Sequence, residues 1–335
     1  MKSGESASVG INSSSSVVHR NWNIKIAEGD NCNTPKVTGG KCMNIDSCDK
    51  AFLHSIPYQD HTPVCQDNAF YKVVCCQSFL DFCENSKNFQ IYHGTEAELG
   101  MFPHIARLGL RYDDGTVQWT CSGNIISDKF LLTAAHCDPV NITGLDCHQS
   151  SECVQQIGVK YFTSHQNYKK AIKYHDIAIV QLLHAMKFNS RVLPLCPYDR
   201  KLDLPEAENL TIAGWGATES RFDSPQLMYA TVRTVPYSVC RDNYSKAISS
   251  IRLKNGITED MYCALGSMVD NVTEYIDACQ GDSGGPLQVN LDNTVYLVGI
   301  ISTGFGCGSN LPGLYTRVAY YLDWIKDTIN NEPVT

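Results

Sequence analysis

The sequence lacks any CxxC pair, although it contains 16 cysteines among 335 residues. Zinc ribbons and thioredoxin-like redox sites are built on such pairs, so their absence argues against both. No stretch approaches the ~18 consecutive apolar residues of a membrane-spanning helix, and we expect no membrane partner. Long runs of like charge are also missing from this chain of net charge −8. That pattern argues against nucleic acid as a partner.

The many cysteines instead indicate disulfide bonds and therefore an oxidising compartment. Asn-X-Ser/Thr sequons agree with that, one of them at Asn12. The expected glycosylation sites are Asn141, Asn209, Asn243 and Asn271. The opening letters MKSGESASVGINSSSSVVHRNW lack the apolar run of a secretory leader. Because so many disulfides have no use in a reducing cytosol, we expect a secreted, extracellular protein whose leader is not visible in this sequence.

Composition divides the chain into four parts. Residues 1–31 are polar and Ser-rich and are predicted to be disordered. Residues 32–76 hold six cysteines in 45 residues, too short a segment for a core of its own, so disulfides must hold it together. Residues 77–90 form a linker and activation region. Residues 91–335 alternate short β-type runs with Gly, Pro, Asn and Asp clusters, which predicts an all-β barrel domain.

One helix is predicted at the C-terminal end, in RVAYYLDWIKDTINN. Its apolar residues recur at the spacing of one helical face, which predicts a terminal helix that packs on the domain. These residues are Val318, Tyr321, Leu322, Ile325 and Ile329.

Three short segments carry residues suited to nucleophilic catalysis. His136 follows an apolar strand in LLTAAHC, Asp176 opens another in YHDIAIV, and Ser283 lies in the Gly-rich turn of DACQGDSGGP. A serine hydroxyl needs a base, and an imidazole with a pKa near ~6.5 suits that task. A carboxylate can fix the imidazole tautomer. The amides of Gly281 and Ser283 could then stabilise an oxyanion.

These motifs, with AGWG and PGLYTRV, resemble the trypsin-like serine proteases of the chymotrypsin superfamily over residues 91–331. The resemblance implies a chymotrypsin-like double β-barrel with a C-terminal helix. It also implies a serine endopeptidase that needs no cofactor, with His136 as general base, Asp176 as its orienting group and Ser283 as nucleophile. Gly281 and Ser283 would form the oxyanion hole.

The resemblance also places the specificity pocket. Asp277, six residues before the nucleophile, would form its floor and favour Arg or Lys, because a buried charge needs a partner. Gly304 and Gly313 would keep the slot open, and Ser302 would donate a second hydrogen bond to the catalytic aspartate. Thr303 departs from the family, which usually carries a substrate-contacting aromatic there, so the resemblance does not extend to that subsite.

The cysteine-rich segment resembles a clip domain, a module that precedes arthropod serine proteases of haemolymph or perivitelline cascades. The resemblance rests on CNTPKVTGGKC, Cys48, Cys65 and VVCC. The order of the whole chain resembles the snake-like branch of these proteases. Spacing alone leaves the connectivity of six cysteines open. The resemblance, with proximity for the pair 147–153, implies Cys32–Cys75, Cys42–Cys65, Cys48–Cys76, Cys83–Cys196, Cys121–Cys137, Cys147–Cys153, Cys240–Cys263 and Cys279–Cys307.

IYHGTEAELGMFPH matches the family's mature start, so Ile91 would become the new terminus and pair with Asp282. That pairing would order the pocket and the oxyanion hole. Gln90 stands where a trypsin-like activator needs Arg or Lys, so the enzyme should not cut this bond itself. We hypothesise cleavage by a protease of different specificity, for example a pathogen's. Loose processing with trimming, or a zymogen that stays silent, are the alternatives.

The sequence therefore predicts a secreted clip-domain zymogen that cuts proteins after Arg or Lys in an extracellular cascade. Innate immunity (Toll activation or melanisation) and developmental patterning are the expected settings. Downstream zymogens, a Toll-ligand precursor or prophenoloxidase are the expected substrates, by family analogy. An upstream activating protease and serpin-type inhibitors are the other expected partners. The alternative is a non-catalytic homologue acting as a cofactor or adaptor. Residues 138–156 offer no clear set of oxygen ligands, so neither calcium nor another metal is expected.

Overall fold

The computed structural model describes most of the barrel region and part of the cysteine-rich segment. The described residues are 31–34, 37–48, 64–67, 72–76, 97–98, 100–138, 143–145, 155–217, 224–247, 251–269, 274–292 and 294–331. Residues 77–90 and nearly all of 1–31 lie outside this set, so the proposed division into four parts stays a prediction there. Asn31, expected to end the disordered segment, instead opens a strand and pairs with Lys41.

Strands dominate the described part of the chain. They are β1 Asn31–Thr34, β2 Val37–Asn44, β3 Val64–Asp67, β4 Lys72–Cys76, β5 Ile105–Arg111, β6 Val117–Ile125, β7 Phe130–Thr133, β8 Thr143–Leu145, β9 Gln155–Ser164, β10 Ala178–Leu182, β11 Cys196–Pro197, β12 Asn209–Gly214, β13 Met228–Thr234, β14 Met261–Gly266, β15 Pro286–Leu291, β16 Thr294–Thr303 and β17 Gly313–Arg317. The helices are α1 Tyr237–Ala247 and α2 Leu322–Asn330, with 3-10 turns at Ile45–Ser47, Ala135–Cys137, Ile251–Leu253 and Val318–Tyr320.

The cysteine-rich segment forms a four-stranded antiparallel sheet in the order β1-β2-β4-β3. Its interior consists largely of half-cystines, with Cys42 fully buried beside Val74. Disulfides hold the strands together, because so few apolar side chains cannot supply a core. The three bonds are Cys32–Cys75, Cys42–Cys65 and Cys48–Cys76, the same pairs that the clip-domain resemblance implies.

The first barrel is a six-stranded sheet in the order β5-β6-β7-β10-β9-β8. It closes because β8 lies beside β5. Its central strands β7 and β10 are buried along their whole length, which is why FLLT and AIVQL carry almost no polar residues. The last residue of β7, Thr133, pairs with the first residue of β10, Ala178, and the candidate site lies at this end of the two strands.

The second barrel is a seven-stranded sheet in the order β11-β16-β15-β12-β13-β14-β17. A further pairing of β16 with β17 closes six of these strands into a ring, and β11 adds in parallel to β16. Two closed barrels with few helices confirm the predicted all-β, double-barrel fold class. Closure of the six-stranded ring gives each of its strands a neighbour on both sides.

The predicted C-terminal helix is present, with Tyr321, Ile325 and Ile329 buried on one face. Its first predicted residue, Val318, belongs instead to a preceding 3-10 turn. Helix α1 was not predicted from the sequence. No helix in the described part of the chain is both long and apolar enough to cross a membrane.

Candidate active site

His136 lies in a tight 3-10 turn directly after the buried strand β7. The disulfide Cys121–Cys137 ties this turn back to β6 and fixes its position. The imidazole is about one-quarter exposed, and its Nδ1 lies 2.7 Å from Oδ2 of Asp176. The other ring nitrogen is therefore the one left for chemistry.

Asp176 is almost completely buried at the mouth of β10, with 1% of its surface exposed. Its carboxylate accepts hydrogen bonds from the His136 amide at 2.9 Å and from Ser302 Oγ at 2.5 Å. Thr316 Oγ1 donates to its backbone carbonyl at 2.8 Å. Burial alone would raise the pKa of this carboxyl, but the donors and the His136 charge outweigh it and hold the pKa below its usual value. Asp176 is thus an ionised acceptor that orients the ring.

Ser283 occupies a turn that only glycines can build. Gly281 and Gly284 have φ of 98° and 80°, in the left-handed region that favours glycine. A Cβ at Gly284 would lie 2.2 Å from the carbonyl oxygen of Ser122 and 2.2 Å from Thr133 Oγ1. The turn is therefore pressed against the first barrel, where the Ser122 amide donates to the Ser283 carbonyl at 2.7 Å.

The amides of Gly281 and Ser283 donate to no acceptor among the residues that the structure describes. Two such donors in one glycine turn suit an oxyanion that forms during reaction. The hydroxyl beside them and the imidazole line a single cleft of about 370 Å³. A base, a nucleophile and amide donors therefore share one cavity, as acyl transfer requires.

Asp277 forms the polar end of the same cleft, which Ser302 and Thr303 also line. Burial raises the pKa of this carboxyl to about 6, and the nearby charge of Asp282 adds to the effect. A Cβ at Gly313 would lie 3.0 Å from Oδ1 of Asp277, and one at Gly304 would lie 3.8 Å from Oδ2. Side chains at these two positions would thus crowd the carboxylate, so the glycines leave room for a cationic group beside it.

Comparison with known proteins agrees with this geometry. The family model described as Trypsin matches residues 91–325. The chain belongs to the trypsin family of serine proteases. CLIP domain-containing serine protease C9 of Anopheles gambiae is 63% identical over 323 residues, covering 96% of this chain and 91% of the relative.

Two further relatives extend the comparison. Phenoloxidase-activating factor 3 of Holotrichia diomphalia is 31% identical, with 91% of this chain and 95% of the relative covered. Serine protease snk of Drosophila melanogaster is 36% identical, with 70% and 56% covered. This trypsin-family member is therefore a clip-domain serine endopeptidase with protein substrates, and enzymes of its kind need no cofactor.

Asp282 of this protease lies behind the serine turn. Its carboxylate accepts hydrogen bonds from the amides of Gly216 at 2.7 Å and Cys279 at 2.9 Å. Burial raises its pKa to about 6, against the effect of those two amides. No cation in the described part of the chain forms an ion pair with it. Within that part of the chain, the enclosed carboxylate is thus left without a partner of opposite charge, which is costly for a buried ion.

Other predicted features fall partly outside the described residues. Disulfides Cys240–Cys263 and Cys279–Cys307 are present. Cys196 is disulfide-bonded, but its predicted partner Cys83 is not among the described residues. The features that lie wholly outside are Gln90, Ile91, Cys147, Cys153, Asn141 and Asn271. Of the remaining sequons, Asn209 is exposed and Asn243 is half-buried in α1, and their glycosylation stays a prediction.

Sequence reasoning missed two residues of the site. Thr316 holds the backbone of Asp176 from a distance of 140 residues along the chain, and no local pattern indicates that contact. Lys173 lines the cleft with His136, Ser283 and Asp277. The sequence did offer a signal, because the basic segment YKKAIK, residues 168–173, ends three residues before the aspartate.

Proposed function

We propose that this chain is a secreted, trypsin-like endopeptidase zymogen that cuts protein substrates after Arg or Lys. Ser283 attacks the substrate carbonyl, His136 takes its proton and returns it to the leaving amine, and Asp176 steadies the imidazolium. The amides of Gly281 and Ser283 stabilise the oxyanion. The observation that carries this proposal is the buried carboxylate held on the imidazole in the cleft that also contains Ser283.

The preference for Arg or Lys rests on Asp277. Burial raises its pKa to about 6, so the carboxylate is harder to ionise than an exposed one while no cation is bound. A substrate guanidinium or ammonium would relieve that cost by pairing with the carboxylate. Gly304 and Gly313 support the assignment, because they leave the carboxylate accessible from the cleft.

Activation follows from Asp282, the carboxylate without a described cation. We propose that cleavage after Gln90 creates an amino group at Ile91 that pairs with it. The pairing would be favourable because an uncompensated buried charge is costly. Gln90 does not suit the Asp277 pocket, so a protease of different specificity is the proposed activator.

The proposed setting is an extracellular proteolytic cascade. The Holotrichia diomphalia relative is named as a phenoloxidase-activating factor, which supports a place for this chain in a proteolytic cascade. The snk relative is named as a serine protease, which supports the same class of reaction. Substrates of this chain are then downstream zymogens, and serpin-type inhibitors are its expected regulators.

The test is to treat the zymogen with a panel of proteases. For each treatment we would determine the new N-terminus, hydrolysis of an Arg peptide and labelling by a diisopropyl phosphonate probe. Ser283→Ala, treated in parallel, is the control that should be cut identically but neither labelled nor active. Activity that appears together with an Ile91 terminus supports the proposal. An Ile91 terminus without activity or label would instead favour the non-catalytic adaptor.

A further inference from the structure

Two surface segments beside the cleft carry basic residues and no acidic ones. They are HQNYKKAIKYH, residues 165–175, and IRLKNGIT, residues 251–258. Lys169, Lys170 and Lys254 are exposed, and Lys173 is half-buried where it lines the cleft. We call these four lysines the basic rim. In a chain of net charge −8, this local excess of positive charge is not a consequence of overall composition.

Direct contacts join the two segments. The Lys173 amide donates to the carbonyl of Arg252 at 3.0 Å. The hydroxyl of Tyr174 donates to the Gly256 carbonyl at 3.0 Å and accepts from the Asn255 amide at 2.9 Å. The buried Tyr174 ring also packs with the core beneath the second segment. These contacts fix the two segments against each other, so the four lysines belong to adjoining segments.

Internal ion pairs do not account for the basic rim. The ion pairs between described residues involve none of its four lysines. Of the acidic residues that follow the second segment, Glu259 accepts from Tyr320 at 3.0 Å. Asp260 accepts from Tyr321 at 2.5 Å, and its Oδ2 lies 3.5 Å from Nδ1 of His175, so its described contacts are with the ends of the segments and not with the four lysines. Such a surface carries a positive potential that attracts a complementary partner.

We propose that the basic rim binds an acidic segment of the protein substrate adjacent to the bond that is cut. We infer that the occupant is the substrate because Lys173 lines the same cleft as His136 and Ser283. A chain lying across those groups occupies the cleft that Lys173 lines, and the other three lysines lie on the two segments that meet at Lys173. The assignment of the occupant as substrate rests on the proposed function, whereas the binding of an acidic segment does not depend on catalysis.

The primary test measures binding to the full chain carrying Ser283→Ala. A fluorescein-labelled peptide rich in Asp and Glu is compared by anisotropy with a matched Asn and Gln peptide. The rim variant is Lys169→Gln/Lys170→Gln/Lys254→Gln. The control changes net charge by the same amount at three exposed lysines elsewhere, Lys41→Gln/Lys187→Gln/Lys201→Gln.

We expect the parent to bind the acidic peptide about fivefold more tightly than the neutral one at low salt. The rim variant should lose that preference and the control should keep it. Raising the ionic strength should weaken it in the parent, because exposed charges are screened. Equal affinity for both peptides in the parent, or equal losses in both triple variants, would overturn the proposal. Tighter rim-dependent binding of a heparin oligosaccharide would overturn the choice of a protein occupant.

A second measurement separates this proposal from the proposed function. The activated enzyme is assayed on Arg peptides that differ only in acidic or neutral residues next to the Arg. Equal cleavage of the acidic and neutral peptides would contradict the proposal for the basic rim but not the proposed function. Failure to cleave either would contradict the proposed function, and the binding measurement would still decide whether the rim takes an acidic segment.

Discussion

Replacing Asp277 with Asn should remove most of the affinity of the cleft for cationic groups. Its pKa of about 6 against an ordinary 3.8 corresponds to about 3 kcal/mol of cost for the ionised carboxylate in the empty pocket. Water in the open cleft screens part of this, so about 2 kcal/mol should be recovered when an amidinium pairs with it. Asn cannot form that pair. We therefore expect inhibition by benzamidine to weaken about thirtyfold in Asp277→Asn.

The assay is competitive inhibition of the activated enzyme by benzamidine across a pH series, with exposed Asp199→Asn as the charge-matched control. Because the carboxylate must ionise to pair, parent affinity should rise with pH up to about 6 and then level off. The variant should show no such rise. A parent profile that is flat through this range, or a loss in Asp277→Asn no larger than that in the control, would refute the reasoning.

The same raised pKa has a consequence for stability. A carboxyl that is harder to ionise in the folded chain contributes stability at low pH that is lost as the pH rises through about 6. Asp277→Asn should therefore be more stable to heat than the parent at neutral pH while binding cations less well.

Two further predictions concern the residues that hold the site. Ser302→Ala should lower kcat/KM for an Arg peptide about tenfold or more, because it removes a charge-assisted donor from buried Asp176, and Ser302→Thr should recover part of the loss. Activity of Ser302→Ala equal to the parent's would contradict that role. Gly284→Ala should lower the free energy of unfolding by at least about 2 kcal/mol in thermal or urea denaturation. Gly256→Ala, also at positive φ but with open space around its Cβ, should cost about 1 kcal/mol, and equal costs would argue against the packing explanation.

The sequence could predict those residues of the site that lie in short, distinctive segments. DACQGDSGGP specifies the turn around Ser283, since Gly281 and Gly284 take conformations that other residues adopt only at a cost. His136 follows and Asp176 precedes a short strand made almost entirely of apolar residues, so the sequence could place both residues at strand ends. The fold class followed from the same strand patterns.

The sequence did not predict helix α1 or the hydrogen bond from Thr316 to the backbone of Asp176. In YSVCRDNYSKA only Cys240 and Tyr244 are buried among the residues whose burial is described, which leaves too weak an apolar stripe to indicate a helix. Tertiary contacts hold it: Cys240 is bonded to Cys263, and the Tyr244 hydroxyl donates to the Pro312 carbonyl at 2.6 Å. Local sequence cannot report partners so distant along the chain.

The division of the site between the two barrels has a consequence for how the enzyme comes into being. His136 and Asp176 belong to the first barrel, while Ser283, Ser302 and Thr316 belong to the second. The Ser122 amide and the Asn124 side chain reach across to the serine turn. Neither half of the chain, however well folded alone, possesses a working nucleophile with its base. The catalytic groups therefore come together only when the two barrels are packed against each other, and this docking is a requirement for activity separate from the proposed cleavage after Gln90.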